Sequence, residues 1–154
     1  FARRHGTLSG CLQLRALSRL SEVLFDLSGS LDYEVSGETA GGNAFLALKL
    51  EGPLRLICQR CLGALEFALS VRSRVMLVEP ESPWPDDSQV GGLEDEACDA
   101  IEALRELDLT PLLEEEILLA LPIAPRHDRC EQPAAAVASK EASPFAQLAR
   151  LKHN

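Results

Sequence analysis

The sequence predicts an α+β fold: a curled antiparallel sheet (a partial barrel) with a Cys-x2-Cys knuckle, a short N-terminal helix and C-terminal helices. Three observations predict it. Several segments alternate apolar and polar residues, the period of a half-buried strand. The links between them are short, and successive strands with short links pair antiparallel. One later segment instead carries leucines at helical spacing between prolines.

The elements follow in chain order. Leu8, Gly10, Leu12 and Leu14 alternate with polar residues or Cys11, a strand signal. Arg15–Leu24 reads as a short helix with Leu17, Leu20 and Leu24 on one face. Leu31, Tyr33 and Val35 alternate with Asp32, Glu34 and Ser36, and Gly41-Gly42-Asn43 is a turn. Leu46, Leu48 and Leu50 form the next strand, broken at Gly52-Pro53, after which Leu54 and Leu56 lead into Cys58. Leu65, Phe67, Leu69, Val71, Val75 and Leu77 share one face of a further strand, and Glu66, Ser70, Arg72 and Arg74 the other. Glu79–Gln89 holds three prolines, Trp84 and several acids, a loop that continues through Glu96. Trp84 reads as a cap on the sheet edge or as a binding aromatic. Asp99–Leu107 fits a helical turn or a strand. In Asp108–Leu121, Thr110 caps, Pro111 takes the first helical position, and Leu109, Leu112, Leu113, Ile117, Ala120 and Leu121 make the apolar stripe. Glu114, Glu115 and Glu116 suit the positive end of the helix dipole and read as a solvated helix start. Pro122 and Pro125 end the helix. Residues 1–130 are thus expected to form one domain. Residues 131–154 read as a linker with a short helical tail bearing Phe145, Leu148 and Leu151. That tail is too short to be stable alone, so it is expected to dock on the domain or on a partner.

Composition narrows the class. The chain has 154 residues, 46% hydrophobic and 25% charged, with net charge −9, an ordinary globular balance whose field repels nucleic acid on average. The sign is uneven: residues 1–75 carry +2, residues 76–130 carry −12 and residues 131–154 carry +1. Contact with RNA phosphate is therefore expected from the N-terminal half or the tail, whereas the middle suits a basic protein. Five cysteines without a secretory signal argue against a disulfide framework and for a reducing, cytoplasmic setting. No apolar run approaches the ~18 residues of a membrane span. The chain starts at Phe1 rather than Met, so a leading segment is expected before this numbering.

One constellation carries site chemistry. Cys58-Gln59-Arg60-Cys61 lies between two strand-like segments, and His127-Asp128-Arg129-Cys130 follows the Pro-bounded helix. Cys-x2-Cys at a hairpin bend converges two thiolates on one ion; with His127 and Cys130 the set becomes Cys3His, four ligands for a structural zinc ion. Sixty-five residues separate Cys61 from His127, so the fold must unite the pairs. Other readings stay open: small buried core cysteines, a redox pair (disfavoured because that motif belongs at a helix N-terminus), and a histidine that only hydrogen-bonds near the surface. Cys11 and Cys98 stand alone and read as structural or incidental, because an isolated cysteine has no second ligand to close a site. Arg55, Arg60, Arg72 and Arg74 form a candidate basic strip on the polar face of the sheet for RNA or a partner, with surface salt bridging as the alternative. No dinucleotide, Walker, His-Glu-x-x-His or Gly-x-Ser-x-Gly motif is present, so an enzyme is not expected.

Taken together, Ile57-Cys58-Gln59-Arg60-Cys61-Leu62, the run Leu113-Glu114-Glu115-Glu116-Ile117-Leu118-Leu119-Ala120-Leu121-Pro122, Pro125-Arg126-His127 with Cys130, and the closing Ser143-Pro144-Phe145-Ala146-Gln147-Leu148 resemble the YceD family of large ribosomal RNA subunit accumulation proteins. Cys58, Arg60, Cys61, His127 and Cys130 match its motif positions. The resemblance implies a cytoplasmic, non-catalytic factor for synthesis, processing or stability of 23S rRNA, with rRNA, a pre-50S particle or a ribosomal protein as partner. The alternative is an adaptor whose acidic segment recruits a basic ribosomal protein or processing enzyme.

Overall fold

A computed structural model describes residues 1–85 and 98–130. Five strands form one sheet in sequence order: β1 (Thr7–Gln13), β2 (Ser30–Ala40), β3 (Asn43–Ile57), β4 (Ala64–Val78) and β5 (Asp99–Glu102). β1 to β4 pair antiparallel. β5 lies parallel to β4 at the edge, which corrects the expectation of antiparallel pairing throughout. A parallel neighbour needs a long connection, and residues 79–98 supply one. The sheet does not close on itself: β1 and β5 are separate edges of a linear order.

Local chemistry explains the long β2–β3–β4 meander. Gly41 and Gly42 connect Ala40 to its cross-strand partner Asn43, both at positive φ (59° and 86°), the two-residue turn whose twist matches the strands. β3 does not break at Gly52-Pro53, as the sequence suggested; its pairing with β4 runs unbroken from Ala44 to Ile57. Gly52 takes φ 153° with Leu31 Cδ2 2.7 Å from where a Cβ would sit, so glycine admits the close crossing of Leu31. On its other edge β3 pairs with β2 only as far as Glu51, and Val23–Phe25 joins it again at Leu56. Pro53 falls in the gap between, where no ladder donor is needed.

The helix expected over Arg15–Leu24 is instead two 3-10 turns, Leu14–Ala16 and Arg19–Glu22, parted by an extended Leu17. Leu14, Leu17 and Leu20 recur every three residues, the period of that tighter turn, and all three are buried. The segment is then drawn to the sheet: Phe25 N donates to Arg55 O (2.7 Å) and Ile57 N to Val23 O (3.0 Å). So short a helix has too little internal stability to resist.

α1 (Leu109–Ala120) is the one α-helix among the described residues. Its cap is Asp108, whose carboxylate accepts from Thr110 N at 2.9 Å; Thr110 is already inside the helix and Pro111 sits in the third position, still within the turn that needs no N–H partners. Leu113 and Ile117 are fully buried, joining Leu31, Val35, Leu48, Leu50, Leu54, Leu56, Leu69 and Val71 of the sheet in the main core. The glutamates are not simply solvated. Glu114 is 6% exposed and accepts from Arg19 N at 2.7 Å, satisfying a donor at the start of the second 3-10 turn, while Glu115 pairs with the Arg19 side chain. A smaller cluster of Phe45, Met76, Val78 and Cys98 packs separately. The linker and tail read from residues 131–154, and the acidic stretch at 86–97, lie outside the described residues.

Candidate metal centre

β3 and β4 end at the pair Ile57 and Ala64, and residues 58–63 close their hairpin. Two backbone bonds shape this turn: Leu62 N to Cys58 O and Cys58 N to Gly63 O, each 2.9 Å. Leu62 stands at φ 60° to complete it, and both thiols face the same side. The chain leaving α1 comes back to this tip, because Pro122 and Pro125 forbid further helix and Pro125 O accepts from Gln59 N at 2.8 Å. The 65-residue separation in sequence is thereby closed.

Cys58, Cys61, His127 and Cys130 bring one ligand atom each into a group whose members all lie within 4.8 Å of one another. Cys58 Sγ is 3.6 Å from Cys130 Sγ. His127 Nδ1 is 3.4 Å from Cys61 Sγ and 3.6 Å from Cys130 Sγ. A tetrahedral ion with metal–sulfur bonds of ~2.3 Å and a metal–nitrogen bond of ~2.0 Å requires edges of roughly 3.5–3.8 Å, so the donor set and its spacing fit such an ion. His127 Nε2 lies 2.9 Å from Ala64 O; a proton donated there leaves the Nδ1 lone pair directed at the thiols, the outer bond that fixes a ligating imidazole.

The electrostatics have the same sense. Burial opposes ionisation of Cys58, yet backbone N–H groups of Cys61, Arg60 and His127 hold its thiol down at about 5. Burial likewise pushes Cys130 up, but Arg60 and His127 outweigh it and its thiol falls below the ordinary value. The Gly63 N–H pulls Cys61 down, but burial and the neighbouring thiols Cys58 and Cys130 leave it raised. His127 is raised by its bond to Cys130. Three thiols this close oppose one another's ionisation; a bound dication would relieve that repulsion.

Arg60 reaches across from one pair to the other: Nε donates to Cys130 Sγ at 3.0 Å, and Nη2 to His127 O at 3.0 Å and Asp128 O at 3.4 Å. The structure therefore places it apart from the three other arginines grouped with it by sequence. Arg55 pairs with Asp26 at 2.5 Å and Glu66 at 3.2 Å and stacks on Phe25. Arg74 lies 3.2 Å from Glu38 and 3.8 Å from the Phe45 ring centroid. Arg72 is exposed, opposite Lys49. Sequence reasoning had no signal for Ala64 O or Pro125 O, which are backbone atoms; the position of Arg60 between two ligands was the available clue to its reach. Trp84 is 62% exposed, so it does not cap an edge by burial. Cys11 is exposed, and Cys98 is buried with its thiol donating to Arg74 O at 2.9 Å. A cleft of about 720 Å³ between Leu46, Met76, Leu77 and Leu104 contains none of the predicted site residues. Among the described residues no helix is long and apolar enough to cross a membrane.

Residues 46–152 match the family model described as large ribosomal RNA subunit accumulation protein YceD. No curated protein and no solved structure matches the chain.

Proposed function

The chain belongs to the YceD family, and on that premise we propose that it is a non-catalytic factor supporting synthesis, processing or stability of 23S rRNA, working in the cytoplasm on large-subunit rRNA or a pre-50S particle. The observation that carries the mechanistic part is the Cys58, Cys61, His127 and Cys130 cluster. It would hold one zinc ion, and that ion would fasten the β3–β4 hairpin to the segment after α1. Four protein ligands fill a tetrahedron and leave no position for an activated water, so the ion is structural and hydrolysis is not its work.

The test has two parts. Deleting the protein is expected to lower 23S rRNA relative to 16S, and tagged protein is expected to sediment with pre-50S particles. Protein purified without metal-affinity resin is expected to carry about one zinc per chain, absent in Cys58→Ser. Unchanged 23S levels with no particle association would remove the ribosomal reading, whatever the zinc content.

A second reading is an adaptor that binds a basic ribosomal protein or a nuclease without touching RNA. It is favoured by the carboxylates already holding Arg55 and Arg74. Reversing the charge of Arg55, Arg72 and Arg74 separates the two. A direct RNA binder loses RNA affinity and shows a shallower salt dependence, whereas the adaptor's binding to its basic partner is little affected.

A further inference from the structure

Arg60 occupies a position whose geometry exceeds what a phosphate contact needs. It sits inside the first ligand pair, yet its guanidinium bonds to the second: Cys130 Sγ at 3.0 Å, His127 O at 3.0 Å and Asp128 O at 3.4 Å. One planar fork thus spans a ligand sulfur and two carbonyls of the His127–Cys130 segment. A guanidinium presents its donors in a fixed plane and stays charged; an ammonium is a single point and cannot hold that span.

Charge gives the second argument. A dication with three thiolates and a neutral imidazole carries net −1. The described cation touching a ligand sulfur of this group is Arg60, through Nε. Its charge neutralises the centre, and a charge-assisted bond at that distance is of the strong kind. Arg55, Arg72 and Arg74 lie on β3 and β4, whereas Arg60 lies past the end of β3, in the turn between the cysteines.

We propose that Arg60 is a positioning residue of the metal centre, aligning Cys130 and the His127–Asp128 backbone on the first pair and balancing the charge of the loaded site. This rests on the zinc reading above. Arg60 is accordingly committed to the site and not to RNA.

The experiment measures zinc transfer from the loaded full chain to a chromophoric chelator in wild type, Arg60→Gln, Arg60→Lys and the control Arg72→Gln, with melting curves of loaded and metal-free forms alongside. Outer bonds to metal ligands are typically worth roughly 10–100-fold in affinity. Arg60→Gln is expected to release zinc at least about 10-fold faster, Arg60→Lys to fall between it and wild type because charge returns without the fork, and Arg72→Gln to match wild type. The melting point is expected to fall further in the zinc-loaded form than in the metal-free form, whereas a merely structural role would lower both equally. If Arg60→Gln does not fold, the Arg60→Lys comparison decides. Release rates equal to wild type in a zinc-loaded Arg60 variant overturn the inference and leave the zinc reading standing; a wild type that never binds zinc overturns both.

Discussion

Removing the metal, or Cys130 with it, should reveal how much the two distant ligand pairs contribute to stability. His127 and Cys61, in contact at 3.4 Å, are 66 residues apart in sequence. A link closing a loop of that length lowers the entropy of the unfolded chain by an amount worth ~4 kcal/mol at 25 °C in the chain-entropy model. For a domain of this size each kcal/mol moves the melting point by roughly 2–4 °C, so the full effect is roughly 8–16 °C. Differential scanning calorimetry of zinc-loaded protein, chelator-treated protein and Cys130→Ser reads it directly. Chelator should lower the wild-type melt by that span, and Cys130→Ser should start near the lowered value and respond little to further chelator. The reasoning is refuted if chelator moves wild type by less than about 2 °C, or if it moves Cys130→Ser just as far.

Three further outcomes follow from particular residues. Ile117 is fully buried under α1, so Ile117→Ala should cost ~2–5 kcal/mol in urea unfolding. Gly52→Ala, placing a Cβ 2.7 Å from Leu31 Cδ2 at φ 153°, should cost ~1–3 kcal/mol, read as a lower denaturation midpoint with unchanged slope. In metal-free protein the Cys58 thiol lies at about 5 against an ordinary 9.0. A thiol lowered on folding stabilises the native state fully above its unfolded value, and that stabilisation is lost as pH falls through the folded one. The melting difference between chelator-stripped wild type and Cys58→Ala should therefore shrink steadily from about pH 9 downward and lose its pH-dependent part below about pH 5; a difference constant with pH would contradict it.

Alternation made the sheet legible because side-chain period is the signal a strand leaves in sequence. Leu46, Leu48 and Leu50 on β3 and Leu69, Val71 and Val75 on β4 all reach the core as their spacing suggested. What was hidden depended on partners. Gly52-Pro53 looks like a break until Leu31 is known to cross there and the β3 edge is known to be open. The leucines of Arg15–Leu24 fit a helix as well as two 3-10 turns, and only pairing of Val23–Phe25 with β3 decides. Asp108 and Thr110 are both good caps two residues apart, and geometry selects Asp108. Four residues, Asp99–Glu102, are too few to show a period at all. The ligand types were legible from chemistry, but their meeting was not, since it rests on Pro125 O and Gln59 N.

The clip also changes what α1 is. Its N-terminus is fixed by Asp108, and Glu114 and Glu115 tie its middle to Arg19. Its last turn has no basic residue to meet the negative end of the dipole, and Leu119 there is 67% exposed. Left to itself that end would fray. Pro125, His127 and Cys130, bonded to Gln59, Ala64 and Arg60, anchor the exit a few residues later. The helix is thus a strap held at both ends against β3 and β4, with Leu113 and Ile117 in the core. Metal bound at one end of that strap would propagate to its packing, so hydrogen exchange in Ile117–Ala120 should slow on zinc loading while exchange in β1, remote from the clip along the sheet order, should stay as it was.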